Sequence, residues 1–564
     1  MAKKPAATKS NAANTNAGAA EVLDVAIVGA GMSGLYSAWR LLNDAAAGQR
    51  PSITVFEGSH RVGGRLLSLT PPGMPNTRCE LGGMRYMSRH LLVSALVQRF
   101  DIRTEPMPVD EPDNIAYLRG QLLRQSDLVS ADKIPYHLRA VEQDMLAKNL
   151  LMYALTQILP NCETLAGLDF AALQTEVQTA CFDGTPLHEL GFWNVLARVL
   201  SPDAYAFVRD SGGYDCLVSN WSAADAIPFI LADFGKGVSY SRFVDGFDRI
   251  PQRLAAEVQA AGAEVTLGAC LRSFDVSTDA AGQALVTLRF VDGRVVLARR
   301  LVLAMPRRSL ELLEASGAVL DKGNQAVRAL IEAVEPIPLF KIFVCYPYPW
   351  WKSVGVSSGR ALTDMPIRQC YYWGVEPKDA NTDGNAALLA SYDDDLSVTF
   401  WAGLRGAGAE QSIWPPTPQQ ALQSEDWAGY VAPPAMLAEA HRQLVQMHGV
   451  AYAPQPYAAA YRDWAEDPYG GGVNFWRIHA KSWEVIPAII NPVPGLPVYI
   501  CGEAYSHEQG WVEGALQTAE LMLTGHFGLA PLLPAQAAKA PKAGPAAKAG
   551  KARKTNKPCK AVAR

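Results

Sequence analysis

A glycine-rich turn set between an apolar run and a helical segment limits what this chain can fold into more than any other feature. Leu23-Asp-Val-Ala-Ile-Val28 suits a short buried parallel strand, and Gly29-Ala-Gly31-Met32-Ser33-Gly34 follows at once. Leu35 to Leu42 then reads as a helix, and a second strand, Ile53-Thr-Val-Phe56, ends at Glu57, 23 residues after Gly34. Each part has a task in holding a dinucleotide. Gly29 permits the tight turn, Gly31 lets the backbone approach a pyrophosphate, and Gly34 lets helix pack on strand. The helix start, with Met32 and Ser33, offers free N–H groups and a positive dipole end to phosphate. Glu57 can accept hydrogen bonds from both ribose hydroxyls. Glycines alone occur in ordinary turns; strand, glycines, helix, strand and acid in this order make the reading specific.

With 564 residues the chain is too long for one core, and two or three domains are expected. Residues 1–21 hold no apolar run, so neither a secretory h-region nor a membrane span is expected, and the reading is cytoplasmic. Residues 533–564 are rich in Ala, Lys and Pro, with nine basic residues and no acidic one, a composition expected to stay disordered. The net charge of −4 therefore hides an acidic body, which argues against nucleic acid as the main partner. Nine scattered cysteines without a C-x-x-C read as reduced thiols rather than a disulfide framework or a zinc site.

The fingerprint does not separate one dinucleotide from another; later motifs do. Arg61-Val-Gly63-Gly64-Arg65 follows Glu57, and Glu80-Leu-Gly82-Gly83-Met84-Arg85 comes next. Near the far end stand Val498-Tyr-Ile-Cys-Gly502-Glu503 and Gly510-Trp511-Val512-Glu513-Gly514. This ordered combination, spread over residues 22 to 530, resembles the flavin amine oxidase family, its L-amino acid oxidases in particular. The resemblance implies FAD as cofactor, no NAD, and an oxidase acting on a small molecule with O2. It implies that Gly64, Arg65, Gly82, Gly83, Met84 and Arg85 lie along the pyrophosphate and flavin, with Glu503 after Gly502 near the ribityl chain and Trp511 also against the cofactor. Val265, in Ala263-Glu-Val-Thr-Leu267, looks like the residue whose backbone meets adenine. Val512 opens a helix facing the flavin's pyrimidine edge, where a dipole would stabilise negative charge. Lys341, in Phe340-Lys-Ile-Phe343, matches a lysine that holds a water against flavin N5. Trp464 and Tyr469 look like the aromatic pair beside the flavin, and Val473 stands where monoamine oxidases carry a flavin-linked cysteine. FAD is therefore expected to be noncovalent.

An enzyme that handles amino acids must also bury a carboxylate, which is costly without a charged, hydrogen-bonded partner. An arginine fork serves best. Arg85, directly after the Gly82-Gly83 pair, resembles the carboxylate-binding arginine of L-amino acid oxidases; the other possibility for it is an interdomain salt bridge. Tyr371 and Tyr372 resemble the strand that completes the clamp, but alternation allows only one of them to face substrate. Gly510 and Trp511 look like the aromatic wall beside the amino group. Arg85, Lys341 and Trp511 are thus the expected catalytic set. An L-amino acid 2-monooxygenase, a polyamine or monoamine oxidase, and a non-catalytic flavoprotein share many of these motifs.

The expected fold class is α/β: a Rossmann-like, GR2-type FAD domain built from residues 22–90, 240–330 and 490–530. A mixed α+β substrate domain is expected over 91–130 and 331–489, and a helical subdomain over 131–239, with helical patterns from Tyr136 to Leu159, Phe170 to Cys181 and Trp193 to Leu200. A homodimer is expected by analogy alone.

Overall fold

The computed structural model describes residues 22–44, 50–165, 170–233, 238–378, 383–406 and 427–533. The expectations for the two ends of the chain fall outside them. Strand Val22–Val28 lies between Ile53–Phe56 and Val295–Leu303, parallel to both, in a seven-stranded sheet. Its unbroken apolar end follows from burial on both faces. Val25 and Ile27 enter a core with Leu35, Tyr36 and Leu516 from the covering helices, while Ala26 and Val28 enter a second core with Leu301 and Leu303. The nine-residue strand Val295–Leu303 takes two partners on its other edge. Its first half pairs antiparallel with Ala284–Phe290, and its second half pairs parallel with Val498–Ile500. This last pairing brings the C-terminal motifs beside the N-terminal fingerprint.

Helices Met32–Asn43, Arg249–Ala260 and Val512–His526 cover one face of this sheet. A second seven-stranded sheet runs in the order Ala458–Asp463, Leu339–Tyr346, Asn385–Asp394, Gln369–Glu376, Arg360–Thr363, Ile115–Leu118 and Gln121–Arg124. Its central strands are almost wholly buried, which explains their density of Tyr, Trp, Phe and Val.

Helices of residues 140–233 pack beside the second sheet, against Ala116 and Leu118, in a layer more broken than its apolar pattern suggested. The expected stretch from Tyr136 to Leu159 divides into Ala140–Met145, a short turn and Leu150–Ile158. Asn149 makes the break. Its backbone is in the positive-φ region (φ 70°) and its side chain accepts from the N–H groups of Leu151 and Met152, capping the next helix. Phe170–Gln178, Phe192–Val199, Pro202–Gly212 and Ala223–Asp233 complete the layer. Cys79, Cys216, Cys270, Cys345, Cys370 and Cys501 are free thiols, whereas Cys181 is disulfide-bonded, which corrects the reading of every cysteine as reduced; among the described residues no His/Cys/Asp/Glu group is placed to hold a metal. No described helix is long and apolar enough to cross a membrane.

Candidate active site

Two connected cavities lie where the sheets meet. The larger begins at the fingerprint turn, lined by Gly29, Gly31, Met32, Ser33 and Glu57, and continues past Gly64, Arg65, Gly82 and Gly83 to Gly502 and Glu503. Close packing enforces the turn. Gly29 has φ +108°, and a Cβ on Gly34 would come within 1.9 Å of the Gly29 carbonyl oxygen. Gly34 therefore acts by seating the helix and does not line the cavity. The helix cap, Gly31, makes no side-chain hydrogen bond, so the first N–H groups of Met32–Asn43 keep no side-chain acceptor of their own. Glu57 accepts from the Ala30 N–H at 2.7 Å and from Ser59 N–H and Oγ at 2.9 and 2.8 Å, which fixes its carboxylate at the cavity wall.

A second helix start lines the same cavity. Val512–His526 is capped by Trp511 without a side-chain hydrogen bond, and Trp511, Val512 and Gly510 all line the cavity. Glu503 ties this end together, accepting from Gly510 N–H at 2.6 Å and pairing with Arg65 at 2.8 Å, while Arg65 also donates to the Gly472 carbonyl at 2.9 Å. Trp464 and Tyr469 meet edge to face at 5.3 Å and both line the cavity, as does Val473. The fit to a dinucleotide rests on these two uncapped helix starts, both lining one glycine-walled cavity.

Val265 is a correction. It pairs with Val55 and packs into the core, and Ala269, Cys270, Leu271 and Arg272 line that end of the cavity instead. The parallel strand Glu264–Thr266 ends short of the opening, and the chain enters the cavity wall only after the turn at Gly268.

The smaller cavity shares Gly83, Leu339, Lys341, Tyr392, Val473, Gly510, Trp511 and Val512 with the larger, so these residues mark the junction. Lys341 is 3% exposed, and its Nζ donates to the carbonyls of Gly82 at 2.6 Å and Glu80 at 3.2 Å and sits 4.5 Å from the Tyr392 ring centre. Burial pulls its ammonium down to about 7, helped by the nearby Arg85 cation and opposed by Glu80.

Met84 and Arg85 line the smaller cavity. Arg85 is buried; its guanidinium lies 4.2 Å from the Tyr240 ring centre and donates to Tyr371 Oη at 3.3 Å. Among the described residues no carboxylate forms an ion pair with it, so it is not an interdomain salt bridge. The tyrosine alternatives separate cleanly. Tyr371 meets Arg85 and donates to Gln369 Oε1 at 3.1 Å, whereas Tyr372 points to the opposite face and hydrogen-bonds His448 at 3.0 Å. Tyr371 supports Arg85 from behind and is not itself a lining residue.

The walls facing Arg85 come from Tyr214, Phe229, Asp233, Tyr240, Tyr392 and Phe475, none of which sequence reasoning had singled out. Tyr392 could have been found only from register, since it is the cross-strand partner of Lys341. Asp215, beside Tyr214, does not reach the cavity; it pairs with Arg368 at 3.3 Å. Among the described residues no histidine lines either cavity.

Residues 32–521 match the family described as flavin containing amine oxidoreductase. The chain belongs to that family. It is a flavoprotein oxidoreductase, and the larger cavity is where its residues fit FAD. This amine oxidoreductase is 28% identical over 540 residues to Aplysianin-A from Aplysia kurodai, covering 90% of each chain. It is 23% identical over 506 residues to an L-amino-acid oxidase from Siganus canaliculatus, covering 88% of this chain and 83% of that one. Among solved structures it is similar in fold to a putrescine oxidase double mutant, with a TM-score of 0.61 at 16% identity, covering 90% of this chain and 99% of the other.

Proposed function

We propose that this flavoprotein oxidises L-amino acids to 2-oxo acids, with release of ammonia and H2O2. One observation carries the substrate class: a buried arginine that makes no ion pair with a carboxylate among the described residues lines the cavity that adjoins the cofactor cavity. A buried cation left unpaired is costly, and a substrate carboxylate would relieve that cost. A simple amine would leave Arg85 unmatched, so the putrescine oxidase likeness informs the fold and not the substrate. The relatives named L-amino-acid oxidase agree with this reading.

In this reading Arg85, steadied by Tyr371, fixes the carboxylate and thereby orients Cα toward the junction. Lys341, neutral above about pH 7, stands at the junction to take up or hold a proton. The aromatic walls exclude water around the Cα–H. Bound FAD supplies the two-electron redox chemistry, held by Glu57, Arg65, Glu503 and the two helix starts. Overall, amino acid, O2 and water become 2-oxo acid, ammonium and H2O2. Val473 offers no nucleophile for a covalent link, so the flavin is held noncovalently. Precipitation with trichloroacetic acid tests this last point: the yellow colour should stay in the supernatant, and a yellow pellet would contradict it.

A further inference from the structure

The cavity wall contributed by Trp511 is fixed by a buried charge chain whose first member, Asp233, lines the cavity beside it. Trp511 Nε1 donates to Asp233 Oδ2 at 2.7 Å. Arg89 donates to the other oxygen, Asp233 Oδ1, at 2.6 Å, and is itself held by Glu508. Tyr240 Oη donates to the Asp233 carbonyl at 2.8 Å. Asp233 thus holds both aromatic walls, and the Trp511 and Tyr240 rings lie nearly parallel, 10° apart at 6.3 Å. Arg85 packs on the same Tyr240 ring.

Position makes Asp233 an expensive residue. It is the last residue of helix Ala223–Asp233, the end where the dipole disfavours negative charge, and it is 2% exposed. Burial alone drives its carboxyl up from the ordinary range, against the pull of Arg89. A residue placed only to end a helix would be neutral or basic here. The arrangement makes sense if two donors must be met by one rigid acceptor pair. The Trp511 backbone N–H donates to the Glu508 carbonyl at 3.2 Å, so its indole is the part left for Asp233 to fix.

We propose that Asp233 and its anchor Arg89 are positioning residues that set the Trp511 indole as the wall opposite Arg85, and so set turnover. The proposal rests on the amino acid reading above, which wild-type turnover tests separately. Asp233→Asn is the informative change, because an amide offers one oxygen where two donors need one each. In protein labelled with fluorotryptophan, the Trp511 resonance is identified by its loss in W511F. D233N should shift or broaden that resonance, and should lower kcat by roughly ten- to a hundredfold. In the W511F background D233N should change kcat little further. An unmoved Trp511 resonance, or an equal loss of kcat in both backgrounds, overturns the proposal. If D233N does not fold, R89Q is read in the same way, since Arg89 anchors Asp233 without lining the cavity.

Discussion

Arg85 is the residue on which the substrate assignment turns. Replacing it with alanine should remove about 3–5 kcal/mol of carboxylate binding, roughly two to four orders of magnitude in kcat/KM for amino acids. Steady-state kinetics on an amino acid and on its decarboxylated amine checks this, because the amine should not share the loss. Tyr371→Phe should cost only about 0.5–1.5 kcal/mol, the worth of one supporting hydrogen bond, while Tyr372→Phe should leave KM unchanged. A KM effect from Tyr372→Phe would mean that the strand register is misread. Lys341 makes a pH prediction. Its ammonium titrates at about 10.4 in an unfolded chain but at about 7 when folded. Between those values the unfolded chain binds a proton that the folded one does not, so this site's contribution to stability rises with pH from 7 to 10. Any stability advantage of K341M over wild type should therefore be largest at or below pH 7 and shrink toward pH 10, as read by denaturant melts. In kcat/KM profiles, K341M should also lose an inflection near pH 7 that wild type shows.

At the level of elements, the fingerprint works by contact distance as much as by composition. Gly34→Ala places a methyl 1.9 Å from the Gly29 carbonyl, backbone that cannot step aside. The helix must move off the strand, costing about 1–3 kcal/mol or more and weakening flavin retention. Flavin content and melting temperature measure both effects, and a fully flavinated, equally stable G34A would contradict the packing described. Local chemistry made this unit legible: the glycines, the apolar strand and Glu57 all act within 36 residues of sequence, from Val22 to Glu57. The same holds for Gly502-Glu503 and the helix start at Val512. What was hidden depends on register and tertiary approach. Val265 looked right as a strand residue, but the wall is formed after the turn that follows it. Asn149 breaks a continuous apolar pattern through its backbone and side-chain cap, which periodicity does not register. Tyr214, Tyr240, Tyr392 and Asp233 come from four separated elements, and only the assembled fold aims them at Arg85.

Over the whole molecule, function depends on bringing distant segments to one seam. Arg65 reaches Glu503 and the Gly472 carbonyl, and Lys341 reaches the carbonyls on either side of Leu81. These contacts join the segments that follow the fingerprint to Glu503, to Gly472 and to the strand Leu339–Tyr346, so the junction exists only in the complete fold. The two cavities suit the proposed oxidation: the residues of one fit the flavin, the other presents Arg85 to a substrate carboxylate, and Lys341 belongs to both. The most direct test is O2 uptake with paired H2O2 yield by the purified yellow protein over L-amino acids, D-amino acids and amines. The account predicts peroxide equal to O2 consumed, with 2-oxo acid and ammonia, from L-amino acids only. O2 uptake giving amide and CO2 in place of peroxide, or turnover of amines but not amino acids, would contradict it.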